Sequence, residues 1–417
     1  METKEKIKLI LKETNPWWKE KAFRLKNYSC RSVFLDIEKF LALPQIIALV
    51  GLRRTGKTTL MLKIVENFLV TLIEPANILY FSFDDFSQLE IEEILSVYRD
   101  IFPEADLRKK KFLFCFDEIQ KLNDWQEKIK RLYDIYPNIK IIISGSESLF
   151  LRKKIKETLA GRIFEFGIQP LDFKEYLYFI QKEEMIKNPR LYQEEIIKLY
   201  KEFLKTNGFP ELAGVRDDMI IHKYLKESVI DKILFKDIPR LFKVRNPDVL
   251  ADILDIIIFY PGQIIDAVKL SKEMGLARQV ISAYLDYLEK SFLVKKLYNF
   301  SKNLRKQKRS LKKYYPAIIF PSLVEDKFSL CFENSLVWQL GAHFFYRDAY
   351  KNEVDLVLAD ENKKITPLEI KTGRLDFKGL NSFMKKYKAD EAIVLTLDKR
   401  ESHKQIKVIP FYDFLLK

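Results

Sequence analysis

Residues that staple a chain or ligate a metal are scarce here. Cysteine occurs three times in 417 residues, at Cys30, Cys115 and Cys331, far apart and without CxxC spacing. That argues against a disulfide framework and against a thiolate zinc site. Histidine also occurs three times, as His222, His343 and His403, with no pair at ligand spacing. No apolar run approaches the roughly 20 residues that a membrane-spanning helix needs. Met1-Glu-Thr-Lys-Glu-Lys leads into no apolar stretch, so no signal peptide is expected. Internal repeats and low-complexity linkers are missing as well. These absences predict a cytoplasmic protein with reduced thiols and no membrane partner.

What the chain has is apolar and basic. Hydrophobic residues make up 47%, with 32 Phe and 20 Tyr, which excludes a disordered chain. The length predicts two to four domains at roughly 150 residues each. The net charge of +14 points to a polyanionic partner, nucleic acid first. With 32% charged residues of both signs, a lysine-rich solvated surface would account for it too.

Short apolar runs at 45–50, 77–83, 111–116, 139–144 and 163–166 alternate with helix-like patterns, which predicts a parallel α/β sheet. From 171 to about 247 the pattern is helical. From 248 to 315 come short helices and a basic stretch. From 316 onward strands return at 317–320, 344–347, 353–359, 365–371 and 392–397. The expected divisions are therefore 1–170, 171–247, 248–315 and 316–417.

Gly51-Leu52-Arg53-Arg54-Thr55-Gly56-Lys57-Thr58, followed by Thr59, matches GxxxxGK[ST] between a predicted strand and a predicted helix. Glycines let backbone N–H groups approach phosphates, and a helix N-terminus favours them. Lys57 is expected on the β- and γ-phosphates of ATP, with the Thr58 hydroxyl on Mg2+. Arg53 and Arg54 lie in the loop and face either the phosphates or solvent. The strand Phe112–Phe116 ends in Asp117-Glu118. Asp117 is expected to support the metal, and Glu118 to orient the attacking water. The strand at 139–144 ends in Ser144-Gly145-Ser146, where a hydroxyl can sense the γ-phosphate or simply begin a turn.

These residues resemble the AAA+ ATPases, in particular their archaeal and bacterial branch near the STAND signalling ATPases. The carriers are GLRRTGKTTL, FDEIQKLNDW, SGSES and LAGRIFEFGIQPLDFKEYL. The resemblance covers roughly residues 1–240. It implies a P-loop AAA+ parallel sheet with a helical lid and an ATP hydrolase that forms homo-oligomers. Asn207-Gly-Phe-Pro210-Glu resembles the lid element whose proline rests against the nucleotide. Arg162 is the candidate arginine finger or lid sensor, or else a surface ion pair.

Residues 268–290 read as helix, glycine turn at Gly275, helix. Val280, Ile281, Tyr284, Leu285 and Leu288 form the apolar stripe, and Arg278, Gln279 and Ser282 are expected outward. Phe292-Leu-Val suggests a first wing strand. Ser301–Tyr315 follows with seven Lys or Arg and no acid. The whole looks like a winged helix with a basic hairpin that grips DNA phosphates.

In the last segment Glu333 falls on a predicted helix, Asp355 on a strand, and Glu369 and Lys371 on another strand facing the same side. The order resembles the PD-(D/E)xK nucleases, with Val354 where their proline stands. That implies an α/β restriction-endonuclease-like domain with Glu333, Asp355 and Glu369 on Mg2+ and Lys371 positioning water, or an inactive version used for docking. Two functions compete: an ATP-dependent DNA-binding ATPase that cuts or remodels branched DNA, and a STAND-like nucleotide switch.

Overall fold

Five apolar segments, each almost wholly buried or half-buried, pair side by side in the computed structural model. The structure describes residues 2–417 apart from 21–22, 26–27, 30, 72, 85, 87, 146–156, 243 and 361–363. Cys30 and Ser146 lie outside the described residues, as does the rest of the SGSES phrase after Gly145. The chain divides into two units, Met1–Pro170 and Leu171–Lys417.

In the first unit, β1 (Ile46–Val50), β2 (Ile78–Ser82), β3 (Phe112–Asp117), β4 (Ile139–Gly145) and β5 (Ile163–Gly167) pair in the order β2-β3-β4-β1-β5, all parallel. Continuous runs such as IIALV and FLFCFD suit strands covered on both faces. Helix α1 (Glu2–Thr14) precedes the sheet, and α2 (Lys57–Thr71) follows β1 directly. Helices α3 (Ile91–Ile101) and α4 (Trp125–Ile135) connect the later strands. The mixed α/β fold with a parallel P-loop sheet is the one the sequence predicts.

The outer edge of β2 is covered by the turn after α1. Asn15 acts there as a surrogate strand: its Oδ1 accepts from Tyr80 N at 2.7 Å, and its Nδ2 donates to Tyr80 O at 2.9 Å. Both Trp17 and Trp18 donate through Nε1 to Ile78 O, at 3.1 and 2.8 Å. The tryptophan pair thus satisfies an edge that would otherwise present unpaired backbone groups.

The second unit begins helical, with α5 (Phe173–Phe179) and α6 (Gln193–Thr206). Asp172 and Glu175 form a capping box at the start of α5. Then come α7 (Pro247–Phe259), β6 (Gln263–Ile264), α8 (Ala267–Glu273), α9 (Arg278–Lys290), β7 (Val294–Asn299), α10 (Leu304–Arg309) and β8 (Lys312–Pro316). Gly275 turns between α8 and α9 at φ +66°. The rest is α11 (Phe328–Gln339), β9 (Phe344–Arg347), β10 (Glu353–Ala359), β11 (Ile365–Ile370), α12 (Lys378–Tyr387), β12 (Ala392–Thr396), β13 (Glu401–His403) and β14 (Ile406–Pro410). One nine-stranded sheet joins them in the order β13-β14-β12-β11-β10-β9-β7-β8-β6.

Three local expectations differ from the structure. Residues 317–320 form no strand, because Ile319 N and O pair with the Asn207 side chain at 2.7 and 2.8 Å instead of a ladder. The basic stretch is no plain hairpin. Asn303 Oδ1 accepts from Arg305 N and Lys306 N and so caps the helical turn α10 between the paired strands β7 and β8. The strand expected at Phe292-Leu-Val starts at Val294, after Phe292 adopts φ +57°. No helix among the described residues is long and apolar enough to cross a membrane.

Candidate functional site

Strand β4 lies between β1, which feeds the phosphate loop, and β3, which ends in Asp117. This order sets Thr58, Asp117 and Ser144 together at one end of the sheet. Thr58 Oγ1 donates to Asp117 Oδ2 at 2.6 Å. Ser144 Oγ donates to Asp117 Oδ1, and Glu118 N to the same oxygen at 3.1 Å. Gly56 takes φ +90°, which favours glycine, and Arg54 takes φ +63° on the exposed tip of the loop. Arg53 is half-buried, while Leu52 and Thr55 are buried. Thr55 Oγ1 donates to Leu52 O at 3.0 Å, closing the loop on itself. Lys57 is buried, and its ammonium donates to Leu52 O at 2.8 Å and Gly51 O at 3.3 Å. Thr59 is exposed on the first turn of α2. A hydroxyl and a carboxylate in contact beside a helix N-terminus are the donor set a hard divalent cation with phosphate oxygens requires.

Glu118 sits at φ +52°, and Gln120 Nε2 donates to its Oε2. Burial pushes the Glu118 carboxyl above its ordinary range, against the pull of Lys57. Two further residues serve this site without any motif to mark them. Tyr80 OH donates to Asp117 Oδ2 at 3.0 Å from the neighbouring strand. Arg31 is buried, and its guanidinium donates to Thr55 O at 3.1 Å and to Gln169 O at 2.7 Å, which ties the loop to the end of the unit. Strand pairing of β2 with β3, Ser82 opposite Asp117, brings Tyr80 within reach, and only tertiary structure supplies that register.

Arg162 is not brought to this site within its own chain. β5 runs parallel to β1 with Ile46 opposite Ile163 and Val50 opposite Gly167. The phosphate loop follows Val50, so Arg162 lies at the other end of the sheet. There its Nε pairs with Asp134 Oδ1 at 3.0 Å. Pro210 belongs to the second unit, half-buried at the start of the short turn Pro210–Leu212.

The second unit gathers the other carboxylates. The ladder of β10 with β9 shifts register between Val354 and Val357, a bulge that spans Asp355, and Asp355 Oδ2 accepts from Ile370 N of β11 at 2.9 Å. Glu369 and Lys371 pair at 2.9 Å. Glu333, from α11, accepts from Tyr315 OH at 2.7 Å. Burial, then Asp355, pushes the Glu369 carboxyl up to about 7 and raises that of Glu333. Lys313 stands among them, 2.6 Å from Glu353 and 3.6 Å from Glu333. Burial would lower its ammonium, but Glu333, Asp355 and Glu353 outweigh it and hold it above its ordinary value. Lys313 belongs to the basic stretch expected on DNA phosphates, and its side chain is buried. Among the described residues no group of three or more His, Cys, Asp or Glu that could hold a metal ion is found.

Residues 43–177 match the family model of an AAA domain. Residues 43–170 of that match lie in the first unit. Residues 197–317 and 331–414 match two domains of unknown function, DUF8612 and DUF4143. Two uncharacterized proteins of Methanocaldococcus jannaschii are similar along most of the chain. One is 29% identical over 355 residues, 79% of this chain and 76% of its own; the other is 27% identical over 412 residues, 89% and 85%. An uncharacterized protein of Haemophilus influenzae is 29% identical over 248 residues, 58% of this chain and 60% of its own. Among solved structures, Cdc6p from Pyrobaculum aerophilum aligns at 14% identity and TM-score 0.31, covering 72% of this chain and 92% of its own. The Aeropyrum pernix ORC1 protein in complex with DNA aligns at 14% and 0.31, covering 74% and 91%. Scores that low give no common global superposition.

Proposed function

We propose that the protein is a magnesium-dependent AAA+ ATPase that acts on DNA, with the sheet of its second unit serving as a docking module. The observation that carries the reading is the convergence of Thr58, Asp117, Ser144 and Glu118 around the phosphate loop. In it Lys57 binds the β- and γ-phosphates of ATP, Thr58 and Asp117 hold Mg2+, and Glu118 orients water. Mg2+ would supply neutralisation of phosphate charge. Ser144 orients Asp117 and reports on the γ-phosphate. Arg162 acts, if at a phosphate, on a neighbouring copy in a homo-oligomer, since its own phosphate loop is at the other end of the sheet.

The order α7, β6, α8, α9, β7, β8 is read as a winged helix. Its α9 leaves Arg278, Gln279 and Ser282 exposed while Ile281, Tyr284, Leu285 and Leu288 are buried. Lys302, Arg305, Lys306, Lys308 and Arg309 are exposed next to it. Such a face fits a duplex backbone with base edges within reach. Docking is preferred to cleavage for the second unit because its carboxylates are matched by lysines of the same chain.

ATP hydrolysis measured with and without single-stranded, duplex and four-way DNA tests the reading. Lys57→Ala should abolish turnover, and Glu118→Gln should retain ATP without hydrolysing it. Wild-type turnover in Lys57→Ala would sink the ATPase assignment. Hydrolysis indifferent to every DNA, with no DNA bound, would favour a nucleotide switch instead.

A further inference from the structure

The carboxylate centre of the second unit contains its own counter-ions. Four acids meet there, Glu333, Glu353, Asp355 and Glu369, and each accepts a hydrogen bond or ion pair from this chain. Glu353 has both Lys313 at 2.6 Å and Arg347 at 3.3 Å. Glu369 has Lys371 at 2.9 Å, and Asp355 Oδ2 has the Ile370 amide at 2.9 Å. Three cations, Lys313, Arg347 and Lys371, thus face four carboxylates, leaving a formal charge of −1.

Lys313 has no precedent in the nuclease-like motif. It is carried by β8, in the segment beside the basic turn, and its neighbours Lys312 and Tyr314 point to the other side of the strand. Its ammonium lies over the Phe345 ring, 5.5 Å from the ring centre. The side chain is only 7% exposed and reaches acids on two other elements, α11 and β10. A divalent ion among the same carboxylates would lie beside this ammonium in a buried setting, where two positive charges repel strongly.

We propose that Lys313 is the resident cation of this centre, taking the place of a divalent metal and fastening β8 to α11 and β10. The centre is a joint between the basic segment and the sheet, and it does not load magnesium. Gly379 belongs to the same design. A Cβ there would stand 1.8 Å from Glu353 O and 2.9 Å from the Glu369 carboxylate, so glycine lets α12 press the acids together.

The inference rests on the docking reading of the second unit. A cleavage assay tests that reading, whereas metal titration tests Lys313, so the two can fail separately. Full-length, nucleotide-free protein is titrated with Mn2+, following free Mn2+ by its paramagnetic resonance. Wild type and Asp355→Asn should give the same isotherm. Lys313→Met should bind Mn2+ at least about tenfold more tightly than wild type. That gain should vanish in Lys313→Met with Asp355→Asn, and Lys313→Arg should behave as wild type. Mn2+ binding by wild type that is lost in Asp355→Asn would overturn the proposal. So would a folded Lys313→Met that gains nothing. Should Lys313→Met not fold, the comparison of wild type with Asp355→Asn still decides.

Discussion

Asp117 shows how much a single carboxylate can depend on its surroundings. Thr58, Tyr80 and Ser144 all donate to it, and each comes from a different element. In the proposed metal-bound state Thr58 would turn toward the ion, leaving Tyr80 and Ser144 to hold the carboxylate in place. Tyr80→Phe keeps the ring and removes one donor to a charged acceptor, a loss of about 1.5–3 kcal/mol. The variant should fold, melt lower without nucleotide, and need more Mg2+ for half-maximal hydrolysis. An unchanged Mg2+ requirement would confine Tyr80 to packing. Lys295 is the contrary case, a half-buried cation with poor company: its ammonium donates to Val337 O at 3.3 Å and lies 5.3 Å from the Trp338 ring. Burial pushes it down to about 8 from an ordinary 10.5. Between those values the unfolded chain holds a proton that the folded chain has released, so this residue makes stability rise with pH across that window. Lys295→Met should therefore melt higher than wild type near pH 7, with the difference shrinking toward pH 10. A variant less stable at every pH would show that the cation is structurally needed.

Edges and ends decide the elements. β2 is an edge strand, and the covering turn after α1 is fastened by Asn15, Trp17 and Trp18. Asn15→Leu keeps the volume but strands Tyr80 N and O, two groups that cost about 1–3 kcal/mol each when left unpaired. We expect a loss of about 2–4 kcal/mol in urea unfolding with an unchanged denaturant slope. A loss below about 0.5 kcal/mol would mean that water or the sheet itself replaces Asn15. Lys140 does a similar service at the other side of the sheet. Its ammonium donates to Phe40 O, Leu43 O and Gln45 O at 3.0, 2.7 and 2.8 Å, closing the approach to β1. Burial pushes this ammonium down to about 8. Lys140→Met should take one donor from each of three carbonyls, of which Phe40 O keeps Leu43 N, and lower the melting temperature.

At the scale of the molecule the charge of +14 is unevenly spent. Lys313 and Lys371 are matched inside the second unit, whereas Lys302, Arg305, Lys306, Lys308 and Arg309 are exposed. Replacing those five by Ala should weaken binding to all duplexes alike. It should also flatten the salt dependence by about 0.9 in log–log slope for each DNA phosphate that is no longer neutralised. Lys313→Ala belongs to another class and should cost folding stability while leaving the salt slope alone. An unchanged slope in the five-fold variant would place the DNA surface elsewhere. Arg162→Ala should leave the folding of the first unit nearly intact, since its pair with Asp134 is largely exposed and such pairs contribute little. If the variant also hydrolyses ATP as wild type does in the presence of excess protein, the role across a subunit interface is gone.

Sequence alone determined the phosphate loop, the acidic strand end and the alternation of strand and helix. These depend on residue types at fixed local spacing: a glycine, Gly56, where φ is positive, an apolar run before Asp117, a lysine and a threonine opening a helix. It also located Gly275 and the buried stripe of α9, because a helix of period 3.6 writes its buried face into the chain. Tertiary structure decided everything that passes between strands. Register put Tyr80 on Asp117 and Arg162 at the far end from its own phosphate loop. A side chain from Asn207 turned an apolar segment at 317–320 away from strand pairing. And of two adjacent lysines, Lys312 and Lys313, alternation along β8 sent one toward solvent and the other into a nest of carboxylates. Composition counts both lysines equally, and only the face each one occupies separates a half-buried surface cation from a cation of the core.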